Sequence, residues 1–184
     1  MKRRLFLQFP LVATALVASA QKQVDDRPKK GIKVDNGKDR FLEDLLIMGG
    51  QFSCKVSSKD TAGDLCIYDT VRHEKGGPAL HIHHKQDEWF YIIKGEFLVQ
   101  VGDDKFTLKP GDSAFAPRTI PHAFAKTSEG EAQMLVLFQP AGSMEDFFRQ
   151  MAKQGKEIPK NQEQTLKQLW KSHGMEIVGP PLKY

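Results

Sequence analysis

His81 and His83 are separated by one residue, Glu88 follows after four more, and His122 arrives beyond the turn Pro110-Gly111-Asp112. Histidines at i and i+2 of a β-strand project from the same face. The polar run Lys85-Gln86-Asp87 suits a turn that would set Glu88 on the neighbouring strand. Three imidazoles and one carboxylate brought together inside a β-walled cavity form a divalent-metal site with room for water or substrate. Imidazole suits iron, nickel, copper, zinc or cobalt, and the carboxylate adds hardness that manganese or iron tolerates. The expected cofactor is therefore one divalent transition metal, with iron or manganese favoured and nickel, copper, cobalt or zinc compatible. His84 falls on the opposite face of the same strand, and His73 and His173 have no partner pattern.

The elements that must position these residues are short strands. β-type segments alternate with turns at 50–57, 64–72, 79–84, 88–94, 96–101, 105–109, 113–116, 122–127 and 132–139. Turn signals stand at Gly76-Gly77-Pro78, Gly102-Asp103-Asp104 and Pro110-Gly111-Asp112. Strands at this spacing mean a sandwich or barrel. Leu42, Leu45, Leu46 and Ile47 fit either a short helix or a first strand. If Glu88 points inward, so do Phe90 and Ile92, which leaves Trp89, Tyr91 and Ile93 on the outer face. That face is too apolar for water, so the N-terminal strands or a second subunit should cover it, and a homodimer is expected. The bulky positions Phe90, Phe97, Phe115, Phe124, Met134 and Phe138 are candidate pocket walls. After residue 142 the period changes to helical. Ser143 with Asp146 resembles a capping box, and Met144, Phe147, Phe148 and Met151 share one stripe. Asn161 with Gln164 starts a second helix carrying Leu166, Leu169 and Trp170, which Gly174 ends. Both stripes read as faces that pack on the β domain.

The chain has 184 residues, 27 basic and 23 acidic, for a formal charge of +4. Lys2, Arg3 and Arg4 supply three of those charges and residues 1–20 carry no acid, so 24 basic and 23 acidic residues remain, or +1. Nothing in that balance suits nucleic acid. Residues 1–20 read as an export signal: the basic start precedes the apolar run Leu11 to Val17, and Ala18-Ser19-Ala20 supplies a small-residue cleavage pattern. The apolar run is shorter than the roughly 20 residues a membrane span needs, so no stable insertion is expected after cleavage. Arg3-Arg4-Leu5-Phe6-Leu7-Gln8 resembles the twin-arginine export motif. The expected location is periplasmic or extracellular. Residues 21–40 read as a flexible linker, 41–142 as the β domain and 143–184 as helices and tail packed on it. Cys54 and Cys66 flank a loop-like run; in an oxidising compartment they form either a bridge or two buried thiols.

The segment from Gly76 to His122 resembles the two-motif signature of the cupins. Its first motif, His-x-His, four residues, Glu, six residues, Gly, is met by His81, His83, Glu88 and Gly95; its second, Gly, five residues, Pro and a later His, by Gly111, Pro117 and His122. The sequence departs from the signature at Thr119, where glycine is usual, and at Lys126, where asparagine is often found. The resemblance implies a mainly β fold, a single cupin-type jelly-roll β-barrel with two C-terminal helices. It also implies that His81, His83, Glu88 and His122 ligate the metal. The wording around the first motif and the terminal Gly174 to Leu182 segment resemble small cupins related to quercetin 2,3-dioxygenase. That likeness implies a dioxygenase acting on a small phenolic or enolisable substrate, with Glu88 as catalytic base. The alternatives are a non-redox metal-dependent isomerase or lyase and a non-catalytic cupin that binds a small ligand.

Overall fold

The computed structural model describes residues 27–154 and 163–184. The expected export signal and the Asn161 helix start lie outside the described residues. The described residues form eleven strands: β1 (Leu45–Ile47), β2 (Gly50–Val56), β3 (Cys66–Arg72), β4 (Ala79–His83), β5 (Asp87–Lys94), β6 (Phe97–Val101), β7 (Asp104–Leu108), β8 (Ser113–Ala116), β9 (His122–Lys126), β10 (Ala132–Gln139) and β11 (Met175–Pro181). Helices α1 (Met144–Lys153) and α2 (Glu163–Ser172) stand between β10 and β11. Residues 45–47 resolve the helix-or-strand alternative in favour of a strand.

The strands form a six-stranded sheet, β1-β2-β3-β10-β5-β8, and a five-stranded sheet, β11-β4-β9-β6-β7. Every named pairing is antiparallel. The sheets remain separate ladders, so the jelly roll is a two-layer sandwich rather than a closed barrel. Alternation sorts each strand into an inner and an outer face. On β5, Glu88, Phe90 and Ile92 are buried while Trp89, Tyr91 and Ile93 face outward; on β10, Ala132, Met134, Val136 and Phe138 are buried.

The helices complete the inner layer. α1 carries Glu145 and Asp146 in its first turn and Lys153 in its last, which complements the helix dipole. Its stripe of Met144, Phe147, Phe148 and Met151 is buried. Phe148 packs on Tyr68 (4.7 Å between ring centroids), Phe52 (5.0 Å) and Phe138 (5.7 Å), so the helix is seated on both β3 and β10. The expected capping box does not form. Ser143 occupies the N-cap but makes no side-chain cap bond, because its Oγ lies 2.9 Å from Nδ1 of His173, just past the end of α2. The two helix ends are thereby tied together.

Two further expectations are settled by register. Cys54 lies opposite Tyr68 and Cys66 opposite Phe138, so the cysteines are diagonal neighbours rather than a facing pair. Both are free, buried thiols. Burial, helped by Glu145, pushes the Cys54 thiol up to about 12 and raises Cys66 as well. The chain also joins the sheet before Phe41. The buried Asp39 carboxylate accepts from the N–H groups of Phe41 (2.6 Å), Glu43 (3.3 Å) and Cys54 (2.6 Å). Asp39→Ala should therefore destabilise the protein by about 1–3 kcal/mol, the cost of leaving such donors unpaired in the interior. Urea denaturation measures this, and an unchanged midpoint would show that the contact is dispensable.

Candidate metal centre

The strand order places four side chains in one spot. His81 and His83 lie on the inner face of β4, and His81 pairs in register with His122, the first residue of β9. Glu88 reaches across from β5 in the opposite sheet. Its neighbours on either side are Ala116 and Phe138. One donor atom from each of His81, His83, Glu88 and His122 lies within 4.8 Å of all the others. All four are buried, with at most 5% of their surface exposed. The four residues singled out from the sequence are thus the four that the fold brings together.

Local backbone geometry aims them. Nδ1–H of His81 donates to the carbonyl of Ala79 and Nδ1–H of His122 to that of Ile120, each at 2.8 Å. These bonds orient the rings with Nε2 directed inward. Nε2 of His122 then lies 2.9 Å, and Nε2 of His83 3.2 Å, from Oε2 of Glu88. Each contact is a hydrogen bond when the imidazole carries a proton on Nε2, and the same atoms are metal donors when it does not. Nδ1 of His83, moreover, is buried without a partner among the described residues. A donor set of this kind could hold a divalent metal ion.

Electrostatics agree. Burial, reinforced by His122 and His83, pushes the His81 imidazole down to about 3, so it is a neutral donor at physiological pH. Burial alone would raise the Glu88 carboxyl, but hydrogen bonds from His122 and His83 outweigh it and hold Glu88 ionised. For His122 burial acts downward, and the Glu88 carboxylate reverses it and raises the imidazole.

The loop that delivers His122 departs from the usual signature and still closes. Thr119 adopts the left-handed conformation (φ 67°) that glycine would take without strain, and its N–H donates to the His83 carbonyl at 2.8 Å. Arg118 clamps the same loop to the start of β5. Its backbone N–H reaches Oδ1 of Asp87 at 2.8 Å, and its guanidinium grips both carboxylate oxygens. Lys126 is fully buried, and its Nζ donates to the Ser128 carbonyl at 2.6 Å. It caps the end of β9 and does not reach the donor set. His84 points out, 3.6 Å from Glu176; His73 is exposed; buried His173 is occupied by Ser143 and Gln150.

Above the donors lies a cavity of about 560 Å³, including the space that opens to solvent. Of the expected walls, Phe124 and Phe138 line it, whereas Phe90, Phe97 and Met134 are core residues that do not. Phe115 is corrected outright. It pairs with Trp89, cross-strand partners share a face, and it is therefore outward and 55% exposed. The sequence reading missed the roof. Met144, Phe147 and Met151 of α1, and Trp170 of α2, line the cavity as well as packing the domain. The Trp170 ring stands edge-on to His81 at 4.9 Å. Helical periodicity marked these side chains as an apolar face but carried no signal that the face overhangs the metal donors.

Two antiparallel sheets of a jelly-roll-like sandwich thus enclose a buried three-histidine, one-glutamate donor set that could hold a metal ion. Residues 69–138 match the family model described as the cupin domain. An uncharacterized protein of Methanocaldococcus jannaschii is 31% identical over 67 residues, 36% of this chain and 54% of that protein. An uncharacterized protein of Aquifex aeolicus is 33% identical over 69 residues, 38% of this chain and 56% of that protein. The chain spans about half the length of the curated relatives it matches. Among solved structures, an RmlC-like cupin from Shewanella frigidimarina superposes with a TM-score of 0.50 at 23% identity. That superposition covers 65% of this chain and 96% of the other, and the likeness is one of fold.

The Arg118 clamp has a pH signature. Its hydrogen bonds lower the Asp87 carboxyl from 3.8 to about 2. A carboxyl depressed by folding contributes stability that is complete above its unfolded pKa and is lost as pH falls through the folded one. The stability difference between the natural protein and Asp87→Asn should accordingly be full at pH 7, shrink between about pH 4 and pH 2, and vanish below. Denaturant titrations across that range measure it, and a difference independent of pH would exclude the clamp as its source.

Proposed function

We propose that this chain is an exported, metal-dependent cupin enzyme, a dioxygenase of the quercetinase-like kind acting on a small phenolic or enolisable compound. The observation that carries the reading is the position of the donor set at the base of a cavity whose roof is apolar. A flat, apolar substrate with one acidic hydroxyl matches such a cavity. Iron or manganese, when bound, supplies Lewis acidity and redox capacity toward dioxygen. The protein's own residues supply the rest. Glu88, the one carboxylate in the centre, is the group that takes the substrate's hydroxyl proton on a carboxylate oxygen. Phe124, Phe138 and Trp170 hold the substrate's apolar body, and Phe147 and Met151 of α1 keep water from the reacting end.

The purified protein should contain about one iron or manganese per chain by plasma mass spectrometry and should consume oxygen with flavonols, catechols or 1,3-diketones. Glu88→Gln should lower turnover by about 10²–10⁴-fold, the range for loss of a positioned base. Turnover that proceeds equally well without oxygen would replace this reading with a metal-dependent isomerase or lyase. Binding without product would replace it with a ligand-binding cupin.

We also infer export and a homodimer. Residues 1–20 support the first. The second rests on the outer face of the six-stranded sheet, where Trp89, Tyr91, Leu135 and Leu137 are only half-buried, and Ile93 and Phe115 are exposed at 40% and 55%. Protein recovered from the periplasm should begin near Gln21 and run as a dimer by light scattering, and Phe115→Glu with Leu135→Glu should run as a folded monomer. A natural protein that is monomeric at high concentration would exclude that interface.

A further inference from the structure

Arg72 is the feature that neither the packing nor the metal donors explain. It ends β3 and lines the same cavity as His81, His83 and Glu88, yet only 3% of its surface is exposed. Among the described residues one group accepts a hydrogen bond from it, the Met48 carbonyl, through Nη2. Its Nε is buried with no partner among the described residues. No ion pair joins it to a carboxylate among the described residues; Glu74 acts on it only through space. Burying a guanidinium with no carboxylate paired to it is costly, so a fold that keeps one in an apolar cavity holds it for a charge that arrives from outside.

The backbone makes room for it. Gly50 lies opposite Arg72 in the β2–β3 register, and a Cβ there would come within 2.8 Å of Nη1. The guanidinium carbon stands 5.7 Å from the Phe124 ring centroid. Phe124 lies two residues beyond His122 on the inner face of β9, roughly 7 Å along the strand. The metal donors and the guanidinium are therefore separated by one aromatic wall residue. That spacing suits an aryl ring with a short side chain.

We propose that Arg72 is the anion-recognising group of this cavity and that the substrate is a small aryl carboxylate, its carboxylate on Arg72 and its oxygen-bearing reacting end toward His81, His83, Glu88 and His122. The substrate class deepens the oxygenase reading and rests on it, whereas the anion site itself does not. A planar carboxylate arriving from the cavity accepts charge-assisted hydrogen bonds from the Nη–H groups of the guanidinium. Phe124 flanks the ring of the ligand, and the roof residues close over it.

The test compares 3-(4-hydroxyphenyl)propionate with its primary amide, which has the same shape and no charge. Binding is measured by calorimetry on the full-length purified protein, as isolated and after removal of metal with chelator. The carboxylate should bind on the order of tenfold or more tighter, the range for a hydrogen bond to a charged group. The preference should survive chelation, because the metal is not its source. Arg72→Gln keeps a donor for the Met48 carbonyl and removes a costly buried charge; it should bind the two probes equally, with metal content unchanged and a thermal midpoint no lower. Equal affinity for the two probes in the natural protein, a preference abolished by chelation, or one that persists in Arg72→Gln overturns the proposal. If oxygen uptake fails while the preference holds, the anion site stands and the oxygenase reading falls; the converse removes only the role of Arg72.

Discussion

The structure turns on the crowding of three imidazoles and one carboxylate in a single buried spot. Oε2 of Glu88 faces the Nε2 atoms of His122 and His83 at 2.9 and 3.2 Å. The backbone carbonyl of Ile120 has already claimed the Nδ1 proton of His122. In water such a cluster would relax by rotating a ring or admitting solvent. Here it cannot, because all four residues are buried on facing sheets. The low local dielectric magnifies every interaction among them, and a divalent metal ion is a centre of positive charge that this donor set could hold. The sandwich supplies the rigidity that keeps them close enough for that to be true.

Function follows from what stands above the donors. Helices α1 and α2 add Met, Phe and Trp side chains to the lining of the cavity that holds the donors. His173, packed on Phe147 at 5.6 Å and linked to Ser143, ties the two helices together as one roof. The cavity is accordingly mixed in character, lined by His81, His83 and Glu88, by apolar side chains of both sheets and both helices, and by the Arg72 guanidinium. Such a lining orients a ligand as well as binding it, since only one end of an amphipathic molecule suits each region.

Much of this was legible in the residues. Period-2 alternation gave the inner and outer faces of β5, and the His-x-His spacing gave two donors on one face, because side-chain direction along a strand is a local property. The turn at 84–86 places Glu88 for the same reason. Phe115 shows where the logic stops. Its strand is four residues long, and which parity faces inward was set by pairing with Trp89, a choice that alternation alone leaves open. The cysteines show it again. Whether two residues on adjacent strands face each other depends on register, and the irregularity near Cys54 shifts it.

The sequence by itself determined which side chains can bind a metal, that they sit on strands, and that the terminal helices are amphipathic. All of these depend on neighbours within a few residues. Tertiary structure decided what those elements meet. It brought Trp170 to within 4.9 Å of His81, although 88 residues of chain lie between them. It also set Arg72 in the same cavity, opposite a glycine that leaves it space. Such juxtapositions depend on the order of strands in two sheets and on which end the helices cover, and long-range packing, which no local periodicity encodes, fixes both.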